Sequence, residues 1–381
     1  MGLAPTRLPG SHRSRSKQEG ETVTASTNGG LQIYDNFDKL GYSLTDYAEK
    51  WILPYGLGEM ARNDTRKFSD GYLSLSAVPF RTASDVSVND HLKYMAVSSQ
   101  AFPLPRKGTV VMSSDIRAVT PGTVSDLTQH GVYGPTGSWK NPTKPAGAPD
   151  YSARLLQAQQ AAVVMNVLDF CSGQLFDWFI ASDTAFALIE RLPSTVTGNT
   201  SNPDCPQAAE VGIDKMYTQI IREVPVSPDS WHHVDIAVSC GDGELWVDYF
   251  LDHEPFAHIA NVGIPLDKQG ITFSGTYQSL GSGERVADQL DSVRFGHGLF
   301  SLLDAFPFQH PGAPELSVSI PLGSASDTSG AGRARLFGQG ASGSFANFAT
   351  LTLAGTAGPA NPSEIAMALS EARSERDRHP V

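Results

Sequence analysis

The sequence predicts an all-β protein, an antiparallel β-sandwich of jelly-roll type with short helices and a disordered N-terminal tail. Three observations carry that prediction. Strand-length segments with apolar residues at alternate positions recur between residues 31 and 310. Turn dipeptides such as Asp70-Gly71 and Asp242-Gly243 separate them. Thirty-six glycines and 25 prolines in 381 residues favour many turns over long helices. Hydrophobic residues at 40% and aromatics at 9% suffice for a sizeable core.

Residues 1–30 are polar, rich in Gly, Ser and Thr, and without periodicity, which predicts the tail. The sandwich is expected over 31–310. Residues 72–78 (YLSLSAV), 109–118 and 162–170 read as strands, and the Pro/Gly-rich stretch 134–150 reads as a loop joining two halves of the domain. Residues 176–180 and 185–190 form a pair turning near Ser182-Asp183. Residues 233–238 and 244–250 flank Cys240-Gly241-Asp242-Gly243, where glycine tolerates positive φ. Residues 271–277 and 289–295 complete the series, and helical breaks are expected around 151–160 and 299–305. Residues 311–360 form a Gly/Ala/Ser-rich extension in which 315–322 and 346–353 would add edge strands. Residues 361–381 would form a short, loosely held helix and tail, with Ser363 as N-cap and Glu364 favourable to the helix dipole.

A formal net charge of −12 disfavours nucleic acid and anionic membrane as partners, since both select basic faces. No run of about 18 apolar residues is present, so no membrane span is expected. The N-terminal stretch carries positive charge without an apolar segment behind it, and the expected location is cytoplasmic. Cys171, Cys205 and Cys240 are then expected as free or buried thiols, with a Cys205 bridge to Cys171 or Cys240 left open for an exported protein. They lack CxxC spacing, so neither a zinc site nor any other cofactor is expected. Nothing in the sequence encodes an oligomeric state.

The order of several segments resembles the concanavalin A-like lectin/glucanase superfamily. Tyr34-Asp35-Asn36-Phe37-Asp38, Trp51 and Asp70-Gly71-Tyr72-Leu73-Ser74-Leu75 look like the first strands of family-16-type glucanases. Trp231-His232-His233-Val234-Asp235-Ile236, followed by Gly243-Glu244-Leu245-Trp246-Val247-Asp248, resembles a laminin-G-like hairpin, and Asp291-Ser292-Val293-Arg294-Phe295 its closing strand. The chain also resembles a poorly characterised group of jelly-roll proteins from actinobacteria and fungi, to which no activity attaches. A retaining glucanase of this superfamily needs two carboxylates about 5–5.5 Å apart. The family supplies them from one strand with a Glu-x-Asp-x-Glu-type run. The corresponding segment here, Met165 to Cys171, offers Asp169 alone, so ordinary family-16 hydrolysis is not expected.

Other carboxylates follow. If Asp169, Asp177 and Glu190 enter one groove, repulsion would push their pKa values apart and supply a proton donor and a base. The competing reading makes Glu190 and Arg191 solvated strand-end charges; in the groove, Arg191 would balance an anionic ligand. His232 and His233 are adjacent in a strand and must face opposite ways, so at most one serves as a proton shuttle, with His232 the candidate. His253, His258 and His297 show no metal spacing. Tyr34, Trp51, Tyr55, Trp178 and Trp246 are candidates to stack on sugar rings or planar ligands, against core packing as the alternative for each.

These readings predict a protein that binds a small organic molecule in a concave groove, as a non-hydrolytic enzyme of specialised metabolism of cyclase, isomerase or lyase type. The alternative is a non-catalytic, lectin-like carbohydrate-binding module or a divergent glycoside hydrolase, with a glycan ligand.

Overall fold

The computed structural model describes residues 26–27, 30–52, 66–69, 71–80, 92–125, 128–131, 151–154, 156–199, 205, 210–274, 281–302, 338–354 and 361–378. In chain order the elements are β1 (Ser26–Thr27), β2 (Gln32–Asp35), α1 (Leu44–Lys50), β3 (Trp51–Ile52), β4 (Arg66–Ser69), β5 (Tyr72–Ala77), β6 (Leu92–Ser98), β7 (Phe102–Pro103), β8 (Gly108–Val119), β9 (Thr128–Gly131) and β10 (Tyr151–Arg154). Then come α2 (Gln157–Gln160), β11 (Ala162–Asp169), β12 (Gln174–Ile180), β13 (Thr184–Arg191), α3 (Ser194–Thr197), β14 (Tyr217–Pro225), β15 (Trp231–Gly241), β16 (Glu244–Leu251), β17 (Glu254–Ile259), β18 (Ser292–Phe300), β19 (Ala341–Ala354) and α4 (Pro362–Arg378).

Sheet one has the order β17-β16-β15-β8-β19-β5-β4, with β1 and β2 also pairing on β19. Sheet two has the order β14-β13-β12-β11-β18-β6-β3, with β7 on β18. These strands pair antiparallel, and β9 and β10 form a separate ribbon. The result is an antiparallel β-sandwich of jelly-roll type, as the sequence predicts.

Alternation places the core. Successive strand side chains point to opposite faces, so Val163, Met165 and Val167 of β11 and Phe176, Trp178 and Ile180 of β12 meet Val110 and Met112 of β8 and Val234, Ile236 and Val238 of β15 between the sheets. Trp178 ties the layers together by donating its indole N–H to the Asp235 carbonyl at 3.3 Å. The Asp242-Gly243 turn forms as expected, with both residues at positive φ.

Several expectations change. The 346–353 segment is no edge: β19 runs between β8 and β5 in the interior of sheet one. Its small residues suit that place, because a Cβ on Gly343 would lie 2.4 Å from Val163 Cγ2 of the opposing sheet. Residues 151–154 are a strand, and helix is confined to 157–160. Residues 299–300 continue β18, and 271–274 are irregular. β6 and β14 are strands that the alternation reading passed over. The C-terminal helix is longer and better anchored than expected. Asn361, not Ser363, caps it, exchanging hydrogen bonds with Glu364 in both directions. Its Ile365, Ala368, Leu369 and Ala372 cover Val111, Ala237, Phe250, Leu351 and Leu353 on the outer face of sheet one. The expected loop 134–150 and strand 315–322 lie outside the described residues.

A Gly343→Ala substitution is expected to cost about 1–3 kcal/mol through overpacking between the sheets, read from the urea midpoint. An unchanged midpoint would show that the sheets do not close on this position.

Candidate active site

The same alternation builds a polar row on the outer face of sheet two. Asn166 of β11 lies directly opposite Asp177 of β12. Asp177 pairs with Leu188 and Leu175 with Glu190, which sets Glu190 diagonally beside Asp177 on the same face. Thr218 of β14 stands opposite Glu190. The Asn166 amide donates to Asp177 Oδ1 at 2.6 Å, and the Thr218 hydroxyl donates to Glu190 Oε2 at 3.0 Å. Leu175, Phe179, Phe186, Leu188 and Ile220 surround the row with apolar surface. Asp177 is buried, while Glu190 keeps partial exposure.

This setting disfavours charge on both acids. Burial, then the neighbouring Glu190 carboxylate, raises Asp177 well above the usual carboxylate range. Burial pushes Glu190 up to about 7. The pair therefore retains protons near neutrality, with Asp177 the protonated partner and Glu190 able to give or take one. Asn166 Oδ1 has no hydrogen-bond partner among the described residues, and a Cβ on neighbouring Gly296 would come within 3.0 Å of it.

Of the sequence candidates, the structure brings together Asp177 and Glu190. Asp169 is not with them. It sits three positions along β11 from Asn166, so alternation turns it to the opposite face, where it accepts the backbone N–H groups of Cys171 and Ser172 at 3.0 and 2.8 Å. Arg191 is fully buried rather than turned to a ligand. It donates to the carbonyls of Ser172 and Glu284 and to Gln289 Oε1, and pairs with Glu284. Asp169 and Arg191 thus hold one turn from two sides. His232 belongs to sheet one, bonded to Asp252 Oδ2 at 2.8 Å and near the Ser227 carbonyl, and cannot share a site with residues on the far side of sheet two.

Trp51 and Trp178 are core residues, their indoles bonded to Asp35 and the Asp235 carbonyl. Tyr34 packs edge-on against Trp51 and lines a cavity of about 280 Å³ with Gln32, Lys50 and Phe102, away from the acid pair. Trp246 lies on the outer side of sheet one opposite Ser239. Tyr55 falls outside the described residues. Asn166 and Thr218 escaped the sequence reading; the signal for Asn166 was a lone amide within the apolar run AVVMNVLD.

His233 faces outward from sheet one. Burial opposes its charge, but the Asp235 carboxylate and hydrogen bonds to Asp115 and Asp235 hold it up to about 9. The thiol expectation is corrected as well. Cys171 and Cys205 form a disulfide closing a separation of 34 residues, and Cys240 is the free thiol. The turn that Asp169 and Arg191 brace is the one carrying Cys171.

Comparison with known proteins places the chain in a family. Residues 147–352 match the family of unknown function DUF6081, and the chain belongs to it. No curated protein matches its sequence. Similar solved structures include an endo-1,3-beta-glucanase from Streptomyces sioyaensis, 11% identical over 88% of this chain and 100% of that one, with a TM-score of 0.39. Another is the exolytic PL7 alginate lyase AlyA5 from Zobellia galactanivorans, 8% identical over 81% and 96%, with a TM-score of 0.36. A third is the carbohydrate-binding module CBM66 from Bacillus subtilis, 10% identical over 66% and 92%, with a TM-score of 0.23. At such distances none of them carries a function to this chain.

Two outcomes follow from this geometry. Acids with raised native pKa values bind more protons folded than unfolded, so their contribution weakens stability as pH rises from the unfolded to the folded value. Stability is therefore expected to fall between pH 4.5 and about 7 through Glu190. Glu190→Gln should flatten that slope and raise stability in alkaline buffer, checked by denaturant midpoints across pH. Separately, Cys171→Ser should lower unfolding free energy by about 2–4 kcal/mol, and reductant should lower wild type to the same level.

Proposed function

We propose that this protein binds a small organic molecule against the outer face of sheet two and performs acid–base chemistry on it without hydrolysing a polymer. The observation that supports this is the Asp177–Glu190 pair. It consists of two carboxyl groups on one apolar face, one sealed and one reachable, with Glu190 titrating at about 7. Glu190 is the group that meets the ligand. Asp177, anchored by Asn166, stays protonated and supplies a hydrogen-bond donor and a proton reserve. Neither carboxylate of the pair comes from β11, whose Asp169 faces the other way. Hydrolysis by two carboxylates flanking a glycosidic bond would need both to reach the bond, and Asp177 is only 1% exposed. A cyclase, isomerase or lyase step uses one reachable acid–base group and fits better.

The disulfide favours an oxidising compartment over the cytoplasm expected from the sequence. No helix among the described residues is long and apolar enough to cross a membrane.

The test compares small-molecule extracts from producing cells carrying wild type, Glu190→Gln or Asp177→Asn. Glu190→Gln is expected to reduce the dependent product about 100-fold or more while the protein stays folded. Activity of wild type should rise or fall through pH 7, as Glu190 acts as base or acid. Identical extracts from folded variants would overturn the proposal.

A further inference from the structure

At the margin of the sandwich, where β2 of sheet one meets β7 of sheet two, the cavity of about 280 Å³ beside Tyr34 opens to solvent. We propose that it binds one neutral polyhydroxylated ring, a pyranose sugar residue. The strands place its walls. Gln32 stands opposite Thr350 of β19. Phe348 pairs with Asp35 and Ala349 with Ile33, so Tyr34 is the extra residue of a bulge. That bulge turns the Tyr34 ring in between the sheets, against Trp51, Phe102 and Phe295 at 5.2, 5.5 and 5.9 Å. Ser99 and Gln100, between β6 and β7, close the cavity from sheet two. The frame is tied together. The Tyr34 hydroxyl donates to the Lys50 carbonyl, which also accepts the Ser99 backbone N–H at 2.7 Å.

The lining selects the ligand. Lys50 is the one charged residue among the described ones that line the cavity, and its charge is already answered. Its Nζ donates to Asp35 Oδ1 and to the Tyr34 carbonyl, both at 3.0 Å, so an anion would gain little there. The remaining polar groups are neutral. The Ser99 hydroxyl is spent on the Glu49 carbonyl at 3.0 Å. The amides of Gln32 and Gln100 and the hydroxyl of Thr350 take no partner among the described residues. Each amide offers an acceptor oxygen and a two-hydrogen donor, which matches hydroxyl groups that both give and accept. Tyr34, Phe102 and Ile33 form the apolar side, against which the C–H face of a sugar ring can lie. A wholly apolar ligand would strip water from the amides and return no hydrogen bond. The volume is close to the lower bound of about 300 Å³ for small-molecule pockets, which suits a single ring rather than a chain. The cavity lies on the inner side of the strands, apart from the acid pair on the outer face of sheet two, and does not depend on the chemistry proposed for that pair.

Saturation-transfer NMR and titration calorimetry on the full chain test this with methyl pyranosides of gluco, galacto, manno and xylo configuration. At least one is expected to bind with a Kd of about 1 mM. Gln32→Ala and Gln100→Ala should each weaken that binding about 3–10-fold, as loss of one hydrogen-bonding side chain does, and the double variant should abolish it. Both side chains are exposed, so the urea midpoint should stay in place. The anionic methyl glucuronide should bind no more tightly than the neutral gluco compound. Glu190→Gln should leave the affinity unchanged, which separates this cavity from the acid pair. The site would be overturned by no pyranoside binding at about 20 mM, by binding that survives in the double variant, or by binding lost in Glu190→Gln.

Discussion

Every strand in this sandwich turns one side chain in two toward the opposing sheet, and that alternation decides the chemical role of each polar residue. On β11, Asn166 faces out and Asp169 faces in, although both lie in one apolar run. On β15, His232 and His233 part company in the same way, one bonded to Asp252 at the sheet's margin and the other to the carboxylates outside. A shift of register by one residue would exchange these roles.

Burial then separates polar groups that build from those that remain reactive. Arg191 and Asp169 are buried but well supplied with partners, and together they brace the disulfide-bearing turn. Among the described residues, Asp177 and Glu190 have one amide and one hydroxyl between them and no cation, so burial is answered by retaining protons. The contrast is between a completed network and an incomplete one. The incomplete one is the pair on which the proposed acid–base chemistry rests.

The C-terminal helix joins the two themes on the far side of the molecule. Its apolar stripe covers sheet one, and the same docking delivers Arg373 to His233, Asp235 and His253. A helix read as a loose tail is thereby the element that completes this ion-pair network.

The sequence by itself determined the alternating strands, the Asp242-Gly243 hairpin and the antiparallel sandwich, because period two and turn chemistry are local properties. It also brought Asp177 and Glu190 forward, since both flank one predicted hairpin. It could not show that Asp169, Trp51, Trp178 and Arg191 are architectural, because that depends on which face meets the other sheet. The interior place of β19 and the pairing of Cys171 with Cys205 came only with the tertiary structure. So did the meeting of His233 with His253 and Arg373, residues 20 and 140 positions away. These are contacts between segments distant in the chain, and no spacing rule within a segment encodes them.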